Sequence, residues 1–279
     1  MTTPTILTGL DDNPFLLPEE IALAKHFIER GYCIIPVEDK AGLERIRGAI
    51  AGLAAAGLKD DAPADPGAYL NGIHGSIGPD GLNKFRLAII RGINREDWLR
   101  PAYFGLARTA LQFIVGNELA MQRRINLSIQ LPCDDGSLLP IHCDVWAGDS
   151  PFEAVLWLPL VDCAGTKSMF IVPPEANAEI QCRLSEFSSR SSEDLFAEVA
   201  PHLEWIDIRY GEALLFNQNL MHGNRINETD ETRWSMNCRF KGAFTPYAEK
   251  NLGEFFEPIT LRAASRIGLS YELPDGFDN

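Results

Sequence analysis

The feature that most constrains this chain is a series of short apolar runs that follows Arg124. Each run has the length of a strand, and Gly, Pro, Asp and Asn, which favour turns, separate one run from the next. The runs occupy residues 125–131, 140–146, 154–160, 168–172, 203–209, 212–217 and 234–240. So many short strands joined by turns predict a β-sandwich or barrel of the jelly-roll kind.

The first third of the chain predicts helices that flank this β-rich region. Residues 17–30 carry apolar side chains at helical spacing, and Gly31 ends the pattern. Residues 32–37 form a β-rich apolar run. Asp39 can then cap a second helix that continues through Leu53. The predicted entry into the fold is helix, strand, helix.

Three further segments are less regular. Residues 59–82 are rich in Pro and Gly and predict a loop that can cover a site. Residues 83–94 carry apolar side chains at both parities and favour a strand, which leads into a helix near residues 98–115. Residues 175–200 are rich in Ser and Glu and predict an insert, in which Ser185 or Ser192 can start a short helix.

We therefore expect one domain that is mainly β with flanking helices. Its core is predicted to be a double-stranded β-helix, jelly-roll or cupin-like, with an N-terminal helical layer. The layer spans residues 1–122 with the covering loop 59–82, the core spans 123–245 with the insert 175–200, and a C-terminal extension spans 246–279.

Composition limits the partners of the chain. Of its 279 residues 46% are hydrophobic, as in ordinary globular proteins. The 39 acidic and 25 basic side chains give a formal net charge of -14, which argues against nucleic acid or an anionic membrane as a partner. There is no basic region followed by an apolar run at the N-terminus and no stretch of ~18 apolar residues, so we expect a cytoplasmic protein without a membrane span. The six cysteines form no CxxC pair, so a structural zinc site is not supported.

Candidate metal ligands lie in the run at residues 140–146. If this run is a strand, alternation places His142 and Asp144 on the same face. Another predicted strand, at residues 212–217, leads to His222, which lies 80 residues after His142. A jelly roll can return a later strand beside an earlier one, and the three side chains would then meet.

Two imidazoles and one carboxylate on one face of an octahedral ion leave three positions open for a bidentate oxoacid and O2. This donor set is typical of non-haem iron(II) oxygenases, whereas a structural zinc site closes all four of its positions. The HxD spacing of His142 and Asp144 is common by chance, and a single His in a strand is often a hydrogen-bonded core residue. The downstream sequence therefore has to decide between these interpretations.

Arg233 begins a β-rich run 11 residues after His222, and Ser235 lies on the same face of that run. A guanidinium and a hydroxyl on one face can together hold a carboxylate, such as the remote carboxylate of 2-oxoglutarate. The alternative is an arginine on a polar strand face with a surface serine. The spacing after His222 favours the carboxylate site.

These motifs together resemble those of the phytanoyl-CoA dioxygenase-like branch of the iron(II)/2-oxoglutarate oxygenases. The predicted helix–strand–helix around residues 31–36 is also similar to that branch. More narrowly, residues 82–86, 140–153 and 166–169 resemble oxygenases of sporadic carbohydrate and aminoglycoside-type clusters, the streptomycin-pathway relatives. The resemblance implies a jelly-roll enzyme in which iron(II), 2-oxoglutarate and O2 act together.

The resemblance also implies residue roles and a reaction. His142, Asp144 and His222 would bind iron(II), and Arg233 with Ser235 would hold 2-oxoglutarate, which is decarboxylated to succinate as the substrate is oxidised. Because Asp144 is a carboxylate, hydroxylation is favoured over halogenation. The implied substrate is a small polar molecule such as a sugar, a sugar nucleotide or an aminocyclitol, with or without a phosphate group.

Other polar residues are candidates for contact with cosubstrate or substrate. Asn126, Ser128 and Gln130 alternate along a predicted strand and face one side, either inward toward 2-oxoglutarate or outward to solvent. The substrate-binding candidates are Arg86 in an apolar run, Trp146 as a stacking surface for a sugar ring, Lys167 in a turn and His74 in the covering loop. For each of these four, an ordinary surface or ion-pair role is the alternative.

Two other functions fit the same metal motif. One is a cupin-like sugar epimerase or isomerase that uses a divalent metal without O2, although Arg233 and Ser235 have no purpose in such an enzyme. The other is a non-catalytic carbohydrate-binding jelly roll in which the histidines are structural.

Overall fold

The computed structural model describes residues 9–11 and 13–275. As predicted, the chain enters the fold through helix α1 (Pro18–Arg30), strand β1 (Tyr32–Pro36) and helix α2 (Lys40–Leu58). Helix α1 ends at Gly31, whose φ of 78° is left-handed, and a Cβ at this position would lie 2.1 Å from the Leu220 side chain. Glycine is therefore required there by both backbone conformation and packing.

Four further helices complete the N-terminal layer: α3 (Pro66–Asn71), α4 (Pro79–Ile93), α5 (Leu99–Gly105) and α6 (Arg108–Ile114). The helix predicted at residues 98–115 is thus two shorter ones. The prediction of a structureless loop at residues 59–82 was wrong, because Asp65 caps α3 by accepting a hydrogen bond from Ala68 N at 3.0 Å. Helix α4 also begins inside this segment.

The strand predicted at residues 83–94 was wrong as well, since this segment belongs to α4. Leu82, Phe85, Ile89 and Ile93 recur at intervals of three or four residues and form one buried face. Apolar side chains at both parities therefore reflected the helical period and not a strand buried on two faces.

Most strands belong to one antiparallel sheet that we call the major sheet. Its remaining members are β2 (Leu119–Gln122), β3 (Asn126–Gln130), β4 (Glu153–Pro159), β7 (Glu212–Asn217), β9 (Arg233–Gly242) and β10 (Phe256–Pro258). The order is β1-β7-β4-β9-β2-β10, and β3 also pairs with β9. Strand β9 is therefore the centre of the sheet, next to β2, β3 and β4.

A smaller sheet, the minor sheet, contains β5 (Phe170–Ile171), β6 (Glu204–Trp205) and β8 (His222–Gly223) in the order β6-β5-β8. The strand predicted at residues 140–146 was wrong. In this segment His142 forms a single bridge with His222, and Asp144–Ala147 is a 3-10 helix. Proline cannot donate to a strand ladder at position 140, and Gly148, with φ of 84°, closes the turn.

The predicted insert is helical and lies against the minor sheet. It contains α7 (Pro174–Cys182) and α8 (Ser192–Val199), so a helix does begin at Ser192 as predicted. Phe196 of α8 packs on Phe170 of β5 with ring centroids 5.4 Å apart. A final helix, α9 (Ala263–Leu269), follows the last strand.

The two faces of β9 separate the apolar core from a polar interior. On one face Trp234 and Phe240 pack against the helical layer, through Phe85 at 6.4 Å and Phe104 at 6.2 Å. The opposite face, toward the minor sheet, carries polar side chains at residues 233, 235, 237 and 239. Within the described residues, no helix is long and apolar enough to cross a membrane.

Candidate metal centre

The two histidines are held together by their own backbones. His142 N donates to His222 O at 3.0 Å, and His222 N donates to His142 O at 2.9 Å. Each ring is then oriented by a carbonyl two residues earlier, because Nδ1 lies 2.8 Å from Pro140 O in His142 and 2.8 Å from Leu220 O in His222. Since a carbonyl only accepts, both Nδ1 atoms carry the proton, and both Nε2 atoms are left with a free lone pair.

Asp144 completes the group at the start of the 3-10 helix. Its Oδ1 lies 3.4 Å from His142 Nε2 and 3.9 Å from His222 Nε2. One ligand atom from each of the three residues lies within 4.8 Å of the others. The backbone N of Asp144 donates to Gln218 O at 3.2 Å, which ties this turn to the segment before His222. The three side chains predicted from the sequence thus converge, although the turn places Asp144 and strand alternation does not.

The ionisation of these groups suits metal binding. Burial raises the pKa of Asp144, whereas the adjacent His142 imidazole and the Arg239 guanidinium lower it, and its pKa lies well below the usual value. Burial, together with the nearby His142, lowers the pKa of His222 to about 4. At neutral pH Asp144 is therefore an anion and His222 a neutral imidazole, which are the forms that bind a metal.

Arg239 occupies the second oxygen of Asp144. Its Nη2 donates to Asp144 Oδ2 at 2.6 Å, so the two carboxylate oxygens have different neighbours. Its Nε lies 3.2 Å from Asp149 Oδ1 and donates to Gln218 Oε1 at 3.0 Å. Asp149 also pairs with Lys250. Arg239 is thus fixed by two carboxylates and an amide.

Glu153 lies behind this network. It accepts hydrogen bonds from Ser150 N and Gln218 Nε2, both at 2.9 Å. Burial, with the negative charge of Asp149, raises the pKa of Glu153 to about 7. The surroundings of Arg239 therefore contain more carboxylates than the guanidinium can neutralise.

Arg233, at the other end of the same strand face, is buried without a carboxylate. Its Nη2 donates to Ser128 Oγ at 2.8 Å and its Nη1 to Ser168 O at 3.1 Å. Among the described residues it forms no ion pair, and its Nε and the buried Oγ of Ser235 have no hydrogen-bond partner. Burial lowers the pKa of Arg233 to about 10, so the side chain stays charged at neutral pH. A buried cation with unused donors is unfavourable unless an anion binds to it.

One cavity of about 290 Å³ joins these groups. Its polar lining includes His142, Asp144, His222, Arg233, Arg239, Asn126, Ser128, Asn224 and Asn237. An apolar wall is formed by Val155, Trp157 and Phe216 of the major sheet with Met169. The volume is near the lower end for small-molecule sites. The cavity therefore combines three metal-ligating side chains with a buried cationic site.

The other polar candidates divide between this cavity and other environments. Asn126 and Ser128 line it, whereas Gln130 is buried and donates to Arg225 O. Two residues that the sequence reading did not single out, Asn224 and Asn237, also line it. Asn237 was detectable, because it has the same strand parity as Arg233.

None of the four substrate-binding candidates lines the cavity. Arg86 lies on the helix α4, where its Nη2 donates to Asn83 Oδ1 at 2.9 Å. Trp146 borders a separate apolar cleft with Phe187 and Leu195. The prediction for Arg86 assumed a strand, and in a helix the same residue faces a different direction.

Lys167 and His74 connect the α3 region to the segment before β9. Lys167 is buried, and its Nζ donates to Asn71 Oδ1 at 2.9 Å and pairs with Glu231. His74 is exposed, and its Nδ1 lies 3.1 Å from Thr232 Oγ1. Both side chains therefore hold elements of the fold together next to the start of β9.

No protein-family model matches the sequence, and no curated protein sequence matches it. Solved structures do match. The non-heme monooxygenase ThoJ, in a nickel complex, is 17% identical, with a TM-score of 0.51 over 87% of this chain and 85% of that one. AviO1 from Streptomyces viridochromogenes Tue57 is 15% identical, with a TM-score of 0.54 over 84% of this chain and 99% of that one.

A third structure is EctD from S. alaskensis with 2-oxoglutarate and 5-hydroxyectoine. It is 16% identical, with a TM-score of 0.51 over 83% of this chain and 78% of that one. At such identities the likeness shows the fold alone. The predicted jelly-roll core with flanking helices is confirmed.

Proposed function

We propose that this chain is a non-haem iron(II)/2-oxoglutarate-dependent oxygenase that hydroxylates a small polar substrate. The observation that carries the proposal is the presence, in one cavity, of a His–Asp–His group and a buried arginine without a counter-ion. A metal site alone fits many enzymes. A metal site beside a vacant carboxylate site fits one that binds a metal-chelating dicarboxylate.

The donor set fits iron(II). Nε2 of His142, Nε2 of His222 and Oδ1 of Asp144 would hold the ion, since these atoms face one another and lack other strong partners. Two neutral imidazoles and one carboxylate leave coordination positions for a second ligand and O2. The comparison structure of ThoJ contains nickel, which is compatible with such a site.

The second group of residues fits 2-oxoglutarate. Arg233 would bind its remote carboxylate, with Ser128 and Ser235 as hydroxyl donors and Asn126 nearby. The comparison structure of EctD contains 2-oxoglutarate. Gln130 is proposed to support this group from behind, through its contact with the Arg225 backbone.

Bound together, iron(II) and 2-oxoglutarate supply an oxidising reaction in which the cosubstrate becomes succinate and CO2. The side chains of this chain orient and protect that reaction. Arg239 holds Asp144 Oδ2 at 2.6 Å, so that Oδ1 is directed toward the histidines. The Pro140 and Leu220 carbonyls fix the histidine tautomers. Trp157 and Phe216 exclude water from one wall of the cavity.

For the substrate we propose a sugar, sugar nucleotide or aminocyclitol in a carbohydrate or natural-product pathway, acting in the cytoplasm. The amides of Asn126, Asn224 and Asn237 supply donors and acceptors for hydroxyl groups in the cavity wall. Arg86, Trp146, Lys167 and His74 stay candidates only for contacts outside this cavity. We treat residues 1–279 as one oxygenase domain with its core at 123–245.

The test is anaerobic addition of iron(II) and 2-oxoglutarate to the purified protein. We expect a visible metal-to-ligand charge-transfer band, and release of succinate when O2 and a suitable hydroxylated substrate are supplied. His222→Ala should abolish the band, whereas the control His202→Ala, which changes a histidine outside the cavity, should retain it. Absence of the band in the wild-type protein at saturating ligand would sink the proposal.

The same experiment separates the alternatives. Turnover of a sugar without O2 would indicate an epimerase or isomerase. Sugar binding that survives metal chelation, without succinate release, would indicate a carbohydrate-binding module.

A further inference from the structure

A second cavity of about 450 Å³ adjoins the metal centre. Asn126 and Arg239 line both cavities, so the two spaces meet at these side chains. The rest of the second lining consists of Gln122, Arg123, Arg124, Lys250, Glu254 and Phe255. A molecule that extends from the metal past Asn126 therefore enters this second space.

The lining of the second cavity is cationic on a protein of formal net charge -14. Four cationic side chains and one carboxylate, Glu254, line it. Some of these cations are neutralised: Arg239 and Lys250 share Asp149, and Arg239 also contacts Asp144.

Further cations are neutralised by Glu257, which is shared by Arg123 at 3.0 Å and Arg100 at 2.5 Å. With these partners included, five cations face four carboxylates. A divalent ion at Asp144 would add more positive charge.

Arg124 holds the charge that is not compensated. Among the described residues it forms no ion pair, and its Nη2 contacts only Asn126 Oδ1, at 3.4 Å. Asn126 in turn donates to Asn237 Oδ1 at 3.1 Å. A polar path therefore runs from the exposed guanidinium of Arg124 into the metal cavity.

We infer that this second cavity binds an anionic group of the substrate, a phosphate or a carboxylate, while the rest of the substrate lies at the metal centre. The inference rests on the proposed function and deepens it by naming the substrate class: a small hydroxylated molecule with one anionic substituent. Cosubstrate and substrate then have separate cationic sites, Arg233 for the first and Arg124 for the second. Guanidinium groups bind such oxyanions with charge-assisted hydrogen bonds.

Inorganic phosphate is the probe, titrated calorimetrically into metal-free protein at neutral pH and low ionic strength, with acetate in a parallel series. We expect Arg124→Gln to weaken phosphate binding about five-fold, as for the loss of one exposed charge contact. The matched control is Arg91→Gln, which removes an exposed arginine of α4 that lines neither cavity. It should leave phosphate binding unchanged.

The acetate series assigns the group: tighter phosphate binding indicates a phosphorylated substrate, and tighter acetate binding a carboxylated one. The inference is overturned if wild-type protein binds neither anion, or if Arg233→Gln abolishes binding while Arg124→Gln does not. That second outcome would leave the iron and 2-oxoglutarate proposal intact. Conversely, a missing charge-transfer band with Arg124-dependent phosphate binding would remove the proposed function and retain the anion site.

Discussion

Strand β9 carries two buried arginines on the same face, six residues apart, and they have opposite surroundings. Arg239 contacts two carboxylates, Asp144 and Asp149, and lies near a third, Glu153. Arg233 contacts a hydroxyl and a carbonyl and no carboxylate. The same side chain thus serves as an internal counter-ion at one end of the cavity and as an unoccupied anion site at the other.

The difference shows that burial of an arginine does not by itself reveal its role. A paired guanidinium stabilises the fold and its carboxylates, so its removal leaves buried charges behind. An unpaired guanidinium is costly to the ligand-free protein and becomes favourable only when an anion arrives. The two residues therefore predict opposite consequences for stability and for ligand binding.

Replacement of Arg239 should have the largest effect on stability. Arg239→Met would leave Asp144 and part of Asp149 buried without a counter-charge, and we expect the free energy of unfolding to fall by about 3 kcal/mol. Metal affinity should fall about 10- to 100-fold, as for other residues that orient a ligand. Urea denaturation and calorimetric titration of cobalt(II) measure the two effects. Unchanged metal affinity would show that Arg239 does not position Asp144.

Replacement of Arg233 should affect ligand binding and leave stability almost unaltered. Arg233→Met removes a buried charge without orphaning a carboxylate, so the free energy of unfolding should change by less than about 1 kcal/mol. The affinity for 2-oxoglutarate should fall about 100-fold, measured from the charge-transfer band. Ser235→Ala is the milder companion variant. A loss of stability as large as that of Arg239→Met would remove the contrast between the two arginines.

The excess of carboxylates near Arg239 predicts a smaller effect, on pH dependence. The pKa of Glu153 is raised to about 7, above the value of an exposed glutamate, so the folded protein holds a proton that the unfolded chain releases. This contribution to stability is present in full below about pH 4.5 and is lost as pH rises through 7. Glu153→Gln should therefore remove about 2 kcal/mol of pH dependence between pH 5 and 8 in urea denaturation. An identical pH profile in wild type and variant would contradict it.

The alternation of β9 was readable from the sequence, because strand parity alone places residues 233, 235, 237 and 239 on one face. The jelly-roll core followed from the spacing of the apolar runs. His142, Asp144 and His222 were also found, but the reason given for two of them was wrong. A proline and a glycine on either side convert the expected strand into a bridge and a turn, and hydrogen bonds to Leu220 and Gln218 do the positioning.

The remaining part of the site depended on contacts between distant segments. Nothing local in the sequence shows that Gln218 reaches Arg239, or that Arg124 lacks a carboxylate where Arg123 has one. The α4 segment shows the complementary limit. Its apolar residues satisfied two periods, and only packing against the rest of the helical layer selects the helix, which moves Arg86 away from the cavity.

The backbone bridge between His142 and His222 links segments 80 residues apart through two hydrogen bonds. Both rings are aligned only once that bridge has closed, because the carbonyls that orient them lie in the same two segments. The chain must therefore complete one of its longest-range pairings before it can capture a metal. Metal uptake during refolding is a clock for the final docking of the minor sheet, and it should lag behind the appearance of helical signal.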